Sequence, residues 1–327
     1  MEGALTMQKS MIVPVLLLSL RLTACGGEEA GSGRNSFWDE LGMDEMETVL
    51  VVDGREVLAW RYCWWLAAGC REMEEACAAG GLAVDWDAVV ETETLGAYVQ
   101  RQALENTLLY ATVETLAEKW GAACTTEPTG ETIQQEAGLP LEDWQRQELE
   151  RVGLLYGELC AMAAAEDSPL VTGEELAAFA EQEGYLTIDR IVFLFGEDKE
   201  IARRQAEEAF ARLNNAADKE AVFSALSAGD GSDQPETVQA EAGTLAPEIL
   251  AAADSLEIGQ YSGILETEDG YCILRRMAPD RKTLAPLWLE RELLQAAATA
   301  HAEEKPGLQN LTVAAISQII SAAEAES

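Results

Sequence analysis

Apolar residues recur at helical spacing through most of the first half of the chain. From Ala59 to Ala79 the Trp, Leu, Cys and Ala residues fall on one face and stop at Gly80-Gly81, which predicts a helix with a glycine cap. The period continues from Trp86 to Trp120 as a long amphipathic helix, continuous or broken, where Leu95, Tyr98, Val99, Gln102, Leu109, Val113 and Leu116 form a stripe and Gly121 closes it. Thr129 to Ala137 reads as a short helix and Leu141 to Ala164 as a long one, with Pro169 beyond its end. Ahead of these, the β-rich Thr48 to Val51 and Glu56 to Leu58 flank Asp53-Gly54 and predict a strand-turn leading into the first helix. The first region is therefore almost wholly helical.

The pattern changes after Pro169. Thr172 with Glu174 and Glu175 makes a capped, acidic helix start reaching about Glu183, and Tyr185 to Phe195 (YLTIDRIVFLF) is the strongest strand candidate in the chain. Helices are predicted over Asp198 to Asn214 and Lys219 to Ser227, a polar loop over Ala228 to Gln239, and a short helix over Pro247 to Ala253. Gln260 to Glu266 and Tyr271 to Met277 read as strands, with Asp269-Gly270 turning between them. One strand, three helices and two strands make an α+β unit of about 95 residues with a small, partly antiparallel sheet. A last helical stretch runs from Leu284 to Glu303, is broken at Pro306-Gly307, and is followed by Leu311 to Ala323. There Leu311, Ile316, Ile319, Ile320 and Ala323 form an apolar stripe expected to pack back on its own protein. No internal repeat is visible.

The N-terminus adds a location. Met11 to Leu20 is apolar apart from Ser19 and follows Lys9, but it is far shorter than the roughly 20 residues that a spanning helix needs. It reads as a signal peptide. Leu22-Thr23-Ala24-Cys25 resembles the lipobox of bacterial lipoproteins, which implies removal of residues 1–24 and a diacylglycerol on Cys25. Residues 25–36 are Gly/Ser-rich, polar and aperiodic. They suit a tether with a reach of roughly 18 Å.

The formal charge of −37 argues against nucleic acid or anionic lipid as a direct partner, since phosphates are bound by displacing their counterions with Lys and Arg. Solubility is its plain consequence and a basic client the sharper one. Besides Cys25 there are Cys63, Cys70, Cys77, Cys124, Cys160 and Cys272. The first three lie seven apart, about 10.5 Å along one helix and beyond the ~7 Å Cα separation a disulfide tolerates. They read as small apolar residues on a packed seam, with pairing to another segment left open. No metal, nucleotide or organic cofactor is indicated.

Several segments carry a resemblance to the parvulin family of peptidyl-prolyl isomerases, and the layout resembles the PrsA/SurA type of extracytoplasmic foldase. Val171 to Leu176 resembles the capped helix ahead of the catalytic domain, Ile188 to Phe193 its first strand, Leu256 to Ser262 the turn before its closing strands, and Thr267 to Ile273 its closing hairpin. Upstream, Val51 to Val57 resembles the strand-turn that opens the chaperone module, and Leu116 to Gly121 the end of one of its helices. The resemblance implies a helical chaperone domain (37–170), an inserted parvulin-like domain (171–280), and C-terminal helices (281–327) that complete the first. It also implies unfolded or newly secreted polypeptides as clients.

Parvulins hold the proline ring among large apolar side chains above two histidines. On the same alignment Arg190 and Cys272 occupy the histidine positions, and Leu245, Ile249 and Asp254 the proline pocket. A central acid or thiol of the family would fall in the loop containing Asp230 and Asp233. The single histidine, His301, lies outside the domain on the predicted C-terminal helix, so no Cys/His or Ser/His/Asp set can be built at the site. The expectation is a lipid-anchored foldase with a degenerate isomerase site. An active isomerase with a relaxed site and a non-enzymatic lipoprotein for one partner stand as alternatives. Catalysis by twisting and drying the amide needs no obligatory proton transfer, which keeps the first of these open.

Overall fold

The computed structural model describes residues 34–326 except 91, 134–138, 140, 197, 228–235 and 240–244. Residues 1–33, where a signal peptide, the Cys25 lipid site and most of a tether are expected, and Asp230 with Asp233 lie outside the described residues. In chain order the elements are α1 (Arg34–Leu41), β1 (Thr48–Val52), β2 (Arg55–Leu58), α2 (Ala59–Ala79), β3 (Val89–Val90), β4 (Glu93–Thr94), α3 (Leu95–Trp120), α4 (Asp143–Ala164), α5 (Gly173–Gln182), β5 (Tyr185–Leu194), α6 (Lys199–Asn215), α7 (Lys219–Ser227), β6 (Glu236–Gln239), α8 (Pro247–Ser255), β7 (Leu265–Glu266), β8 (Gly270–Arg276), α9 (Arg281–Thr299), β9 (Ala302–Glu304) and α10 (Val313–Glu326). The class is α+β. None of the described helices is long and apolar enough to cross a membrane.

The chain divides into two compact units, one made of residues 1–159 with 290–327 and the other of 160–289. In the first, Asp53 (φ 48°) and Gly54 (φ 86°) both take left-handed backbone, as a two-residue hairpin turn requires, and join β1 to β2 with Val52 opposite Arg55. On the other edge of β1 lies β9, antiparallel, with Val52 opposite Ala302. This corrects the helix expected through Glu303. The backbone of His301 is tied to Asp53 in both directions, each bond at 2.9 Å, so the segment is drawn out as a strand that satisfies the free edge of β1. His301 is therefore an exposed loop residue between α9 and β9.

Helix α2 is held on its inner side by Trp60, Tyr62, Cys63, Leu66 and Cys70, all 2% exposed or less. Cys63 and Cys70 are core side chains whose thiols burial pushes up, Cys70 to about 12. The six described cysteines are free thiols. The helix expected from Trp86 begins nine residues later, after the hairpin β3–β4, and α3 starts at Leu95 with the Thr94 hydroxyl accepting from the Ala97 amide at 3.1 Å. Thr129 to Ile133 form turns, not a helix, because the Glu150 carboxylate captures the Thr129 and Gly130 amides and the Thr132 hydroxyl at 2.5–2.6 Å. Helix α10 is secured by Ser317, whose hydroxyl donates to Glu74 of α2 at 2.7 Å and accepts from the Trp86 indole at 3.2 Å. The C-terminal stripe packs back on its own protein, with Ile316 and Ile320 4% exposed or less.

A buried ion cluster crosses the same unit. Glu114 of α3, 2% exposed, accepts from Arg61 of α2 at 2.9 Å and from Arg151 of α4 at 2.5 Å, and Arg55 of β2 reaches the neighbouring Glu118 at 2.6 Å. The Arg61 guanidinium also lies 5.8 Å from the Tyr110 ring.

In the second unit, four strands form a sheet in the order β6-β5-β8-β7. All pairings are antiparallel. Strand β5 does not alternate buried with exposed residues, because helices pack on both of its faces. One face packs against α6 and α7 through Ile191, Ile273, Ala209, Leu213 and Phe223, and the other against α8 through Leu186, Ile188, Leu274, Ile249 and Ala253. β6 lies in the segment expected to be loop; its sequence, Glu236 to Gln239, carries a single apolar residue and forms an edge strand. The strand expected over Gln260 to Glu266 is reduced to an isolated bridge, Tyr261 to Arg275, and the two residues of β7. Helix α5 opens with a capping box in which Thr172 and Glu175 satisfy each other's backbone amides. The Arg281 guanidinium donates to the carbonyls of Ala165 (2.7 Å) and Val171, which fixes the segment before α5.

Candidate functional site

The face of the sheet under α8 brings together most of the residues singled out from the sequence. Side chains alternate along a strand, so Leu186, Ile188, Arg190 and Val192 of β5 share this face with Cys272, Leu274 and Arg276 of β8. The register sets Arg190 opposite Leu274 and Cys272 opposite Val192. Arg190 and Cys272 are thus diagonal neighbours, about 7–8 Å apart between Cα atoms. Cys272 is 2% exposed and belongs to the cluster with Ile249, while Leu245 packs against that cluster from the segment preceding α8. Asp254 is not part of it. On α8 the residues facing the sheet are Ile249 and Ala253, and Asp254 follows on the exposed side.

Burial dominates the electrostatics of the face. The Cys272 thiol is pushed up to about 11 by loss of water, with the positive charge of Arg190 opposing the shift. Arg276 is half-buried, and desolvation holds its guanidinium below the ordinary arginine value against the favourable field of Asp254. Its Nη1 is sealed from solvent without a hydrogen-bond partner. Arg276 was not among the sequence candidates, although the two-residue period from Cys272 through Leu274 leads to it. Ser262 was also missed. It is buried, its hydroxyl accepts from the Leu274 amide at 2.8 Å and donates to the Gly263 carbonyl at 2.7 Å, and so it locks the loop before β7 onto β8.

Such a face can hold apolar side chains and a counter-charge, and no histidine stands beside Cys272 among its described residues. No histidine occurs between residues 160 and 289, and a thiol near 11 is protonated at neutral pH. The face is also only partly covered: α8 lies over Leu186 and Ile188, Val192 is partly buried, and Leu194 at the end of β5 is 69% exposed.

Residues 174–286 match the sequence profile of the family described as the PPIC-type PPIASE domain. No curated protein matches the chain. Among solved structures, PrsA from Bacillus subtilis is 15% identical, with 87% of this chain and 94% of that chain covered and a TM-score of 0.25. The PrsA peptidylprolyl isomerase from Bacillus cereus is 15% identical over 87% and 93%, with a TM-score of 0.23. A structure reported with the Campylobacter jejuni SurA-like chaperones PEB4 and Cj1289 is 12% identical over 79% and 99%, with a TM-score of 0.17. The matched residues, 174–286, are the segment that builds the four-stranded sheet and its α8 face, so this part of the chain is similar to the PPIC-type PPIASE domain.

Proposed function

We propose that the protein is a lipid-anchored extracytoplasmic chaperone of the foldase type whose PPIC-type domain keeps its frame and has lost most of its isomerase chemistry. The observation that carries this reading is the make-up of the α8 face: the sheet, α8 and Ile249 are in place, yet Arg190 and a protonated Cys272 stand where the family resemblance puts histidines. Rotation about an X-Pro bond faces a barrier of about 18–20 kcal/mol, and lowering it requires a closed apolar pocket that twists the amide away from water. With Asp254 on the exposed side of α8 and Leu194 open to solvent, the face is better suited to holding a segment than to enclosing one proline. The anchor rests on the lipobox-like residues ending at Cys25.

The test is proline-limited refolding by the full chain, run beside aggregation of an unfolded client. Suppressed aggregation with no acceleration of refolding is expected. Acceleration that saturates with substrate would restore an active isomerase. A Cys25→Ala variant that still takes up a labelled fatty acid would refute the anchor.

A further inference from the structure

Exposed apolar side chains gather at one end of the first unit. Of the nine large apolar residues that stand exposed among the described residues, three fall within nine positions of chain: Leu82 (61%), Val89 (70%) and Val90 (44%). Leu82 follows the glycines that end α2, and Val89 with Val90 makes up the whole of β3, whose partner is β4 alone. Successive strand residues point to opposite faces, so exposure of both valines leaves neither face of β3 covered. The arm is nevertheless held at its root. The Leu95 and Gly96 amides donate to the carbonyls of Ala88 and Trp86, each at 2.9 Å, and the Trp86 indole donates to Ser317 of α10. Its apolar surface is therefore a fixed part of the fold.

The same end is negative. Residues 72–93 contain seven acidic side chains and no basic one. The flanking cations are already engaged, Arg71 with Glu75 and Arg101 with Glu93 and Glu105, whereas Glu72, Asp85 and Asp87 face no cation among the described residues. α2 also closes without a basic residue in its last turn, where the helix dipole favours one. The sign of this charge selects the occupant. An anionic lipid surface is repelled, and a second copy meeting the arm across a two-fold axis would set the same carboxylates against each other. We propose that the arm is a docking surface for an extended, cationic polypeptide segment, whose apolar residues lie on Leu82, Val89 and Val90 and whose Lys or Arg side chains meet Glu72, Asp85 and Asp87. The surface belongs to the first unit, so its failure would leave the reading of the α8 face standing.

The test is fluorescence anisotropy with the full chain and three dye-labelled peptides with blocked ends: Lys-Leu-Val-Lys-Ile-Lys, Glu-Leu-Val-Glu-Ile-Glu and Lys-Ser-Gly-Lys-Ser-Lys. Only the first supplies both positive charge and apolar surface. It is expected to bind about tenfold tighter than either of the others at low salt, with its advantage over the acidic peptide shrinking as salt screens the charges. Val89→Ser with Val90→Ser should weaken it about tenfold through lost apolar burial. Glu72→Gln with Asp87→Asn should weaken it and flatten the salt dependence, and Leu194→Ser, at the open end of the α8 face, should leave it intact. If the valine variant does not fold, the carboxylate variant decides. Binding that survives both variants would overturn the surface, and binding lost only with Leu194→Ser would move it to the α8 face. Equal binding of either comparison peptide, or no binding by the cationic apolar one, would also overturn it. A chain that sediments as a dimer and becomes monomeric in the valine variant would give the arm to a second copy instead.

Discussion

Alkylation of Cys272 decides whether this buried residue of the α8 face is a nucleophile. The residue sits on β8 between β5 and β7 and is 2% exposed. Its thiol is raised by burial from 9.0 to about 11, with Arg190 opposing. At pH 8, a thiol with a pKa of 9.0 is about one part in ten thiolate and one with a pKa of 11 about one part in a thousand, a roughly hundredfold deficit. Steric closure acts in the same direction, so a hundredfold is the smallest protection expected. The assay is timed iodoacetamide labelling of native and urea-unfolded chain, with the Cys272 peptide quantified by mass spectrometry. Native labelling within about tenfold of the unfolded rate would show that Arg190 outweighs burial. The account of a chemically silent face would then fail.

Three further outcomes follow from the packing. Cys272 and Cys70 hold their protons more tightly folded than unfolded, so their contribution is intact below pH 9 and is lost as pH rises towards about 11 and about 12 respectively; urea midpoints should fall between pH 8 and 10.5, and a rise would contradict the assignment. Glu114→Ala leaves Arg61 charged, 7% exposed and without its carboxylate, at a cost of about 3–5 kcal/mol. Tryptophan fluorescence reads this selectively, because every tryptophan but Trp288 lies in the unit that contains Glu114, and a loss under about 1 kcal/mol would refute a stabilising cluster. Gly270→Ala would set a Cβ 2.3 Å from the Phe193 carbonyl oxygen, so the β5–β8 pair must shift. Destabilisation of about 1–3 kcal/mol is expected, read as lost amide protection along β5, and unchanged protection would contradict the close approach.

Elements bounded by strong local punctuation were legible in the sequence. α2 ends at Gly80, α5 begins at the Thr172–Glu175 box, and β5 is rich in β-branched and aromatic residues, so each is specified within its own window. Elements that exist because a partner needs them were not. β9 is Ala-Glu-Glu and β6 is Glu-Thr-Val-Gln; neither has an apolar period, and both form by supplying backbone partners to an exposed strand edge. Gly/Ser-rich character also hid the start of α1, where Phe37 and Trp38, 2% and 7% exposed, begin the core three residues after the helix opens at Arg34. At the site, alignment to the family brought Cys272, Ile249 and Leu245 to one cluster and Arg190 to the same face, but helical spacing around Ile249 and Ala253 turns Asp254 outward. Arg276 became visible only when the β5–β8 register fixed which residues of β8 share a face with Arg190.

That geometry sharpens the test of a lost active site. Substituting Arg190→His and Cys272→His together removes the half-buried guanidinium and the thiol and sets two imidazoles at diagonal positions of one face. If chemistry at these two positions is what limits isomerisation, the double variant should accelerate proline-limited refolding where the native chain does not. Adding Asp254→Phe should contribute little, since that side chain starts on the exposed side of α8 and cannot close over the cluster without a rotation of the helix. A gain that appears only in the triple variant would mean that enclosure, not the residues beneath, limits turnover. Turnover unaltered in the double and the triple variant alike would mean that the pocket is assigned to the wrong residues.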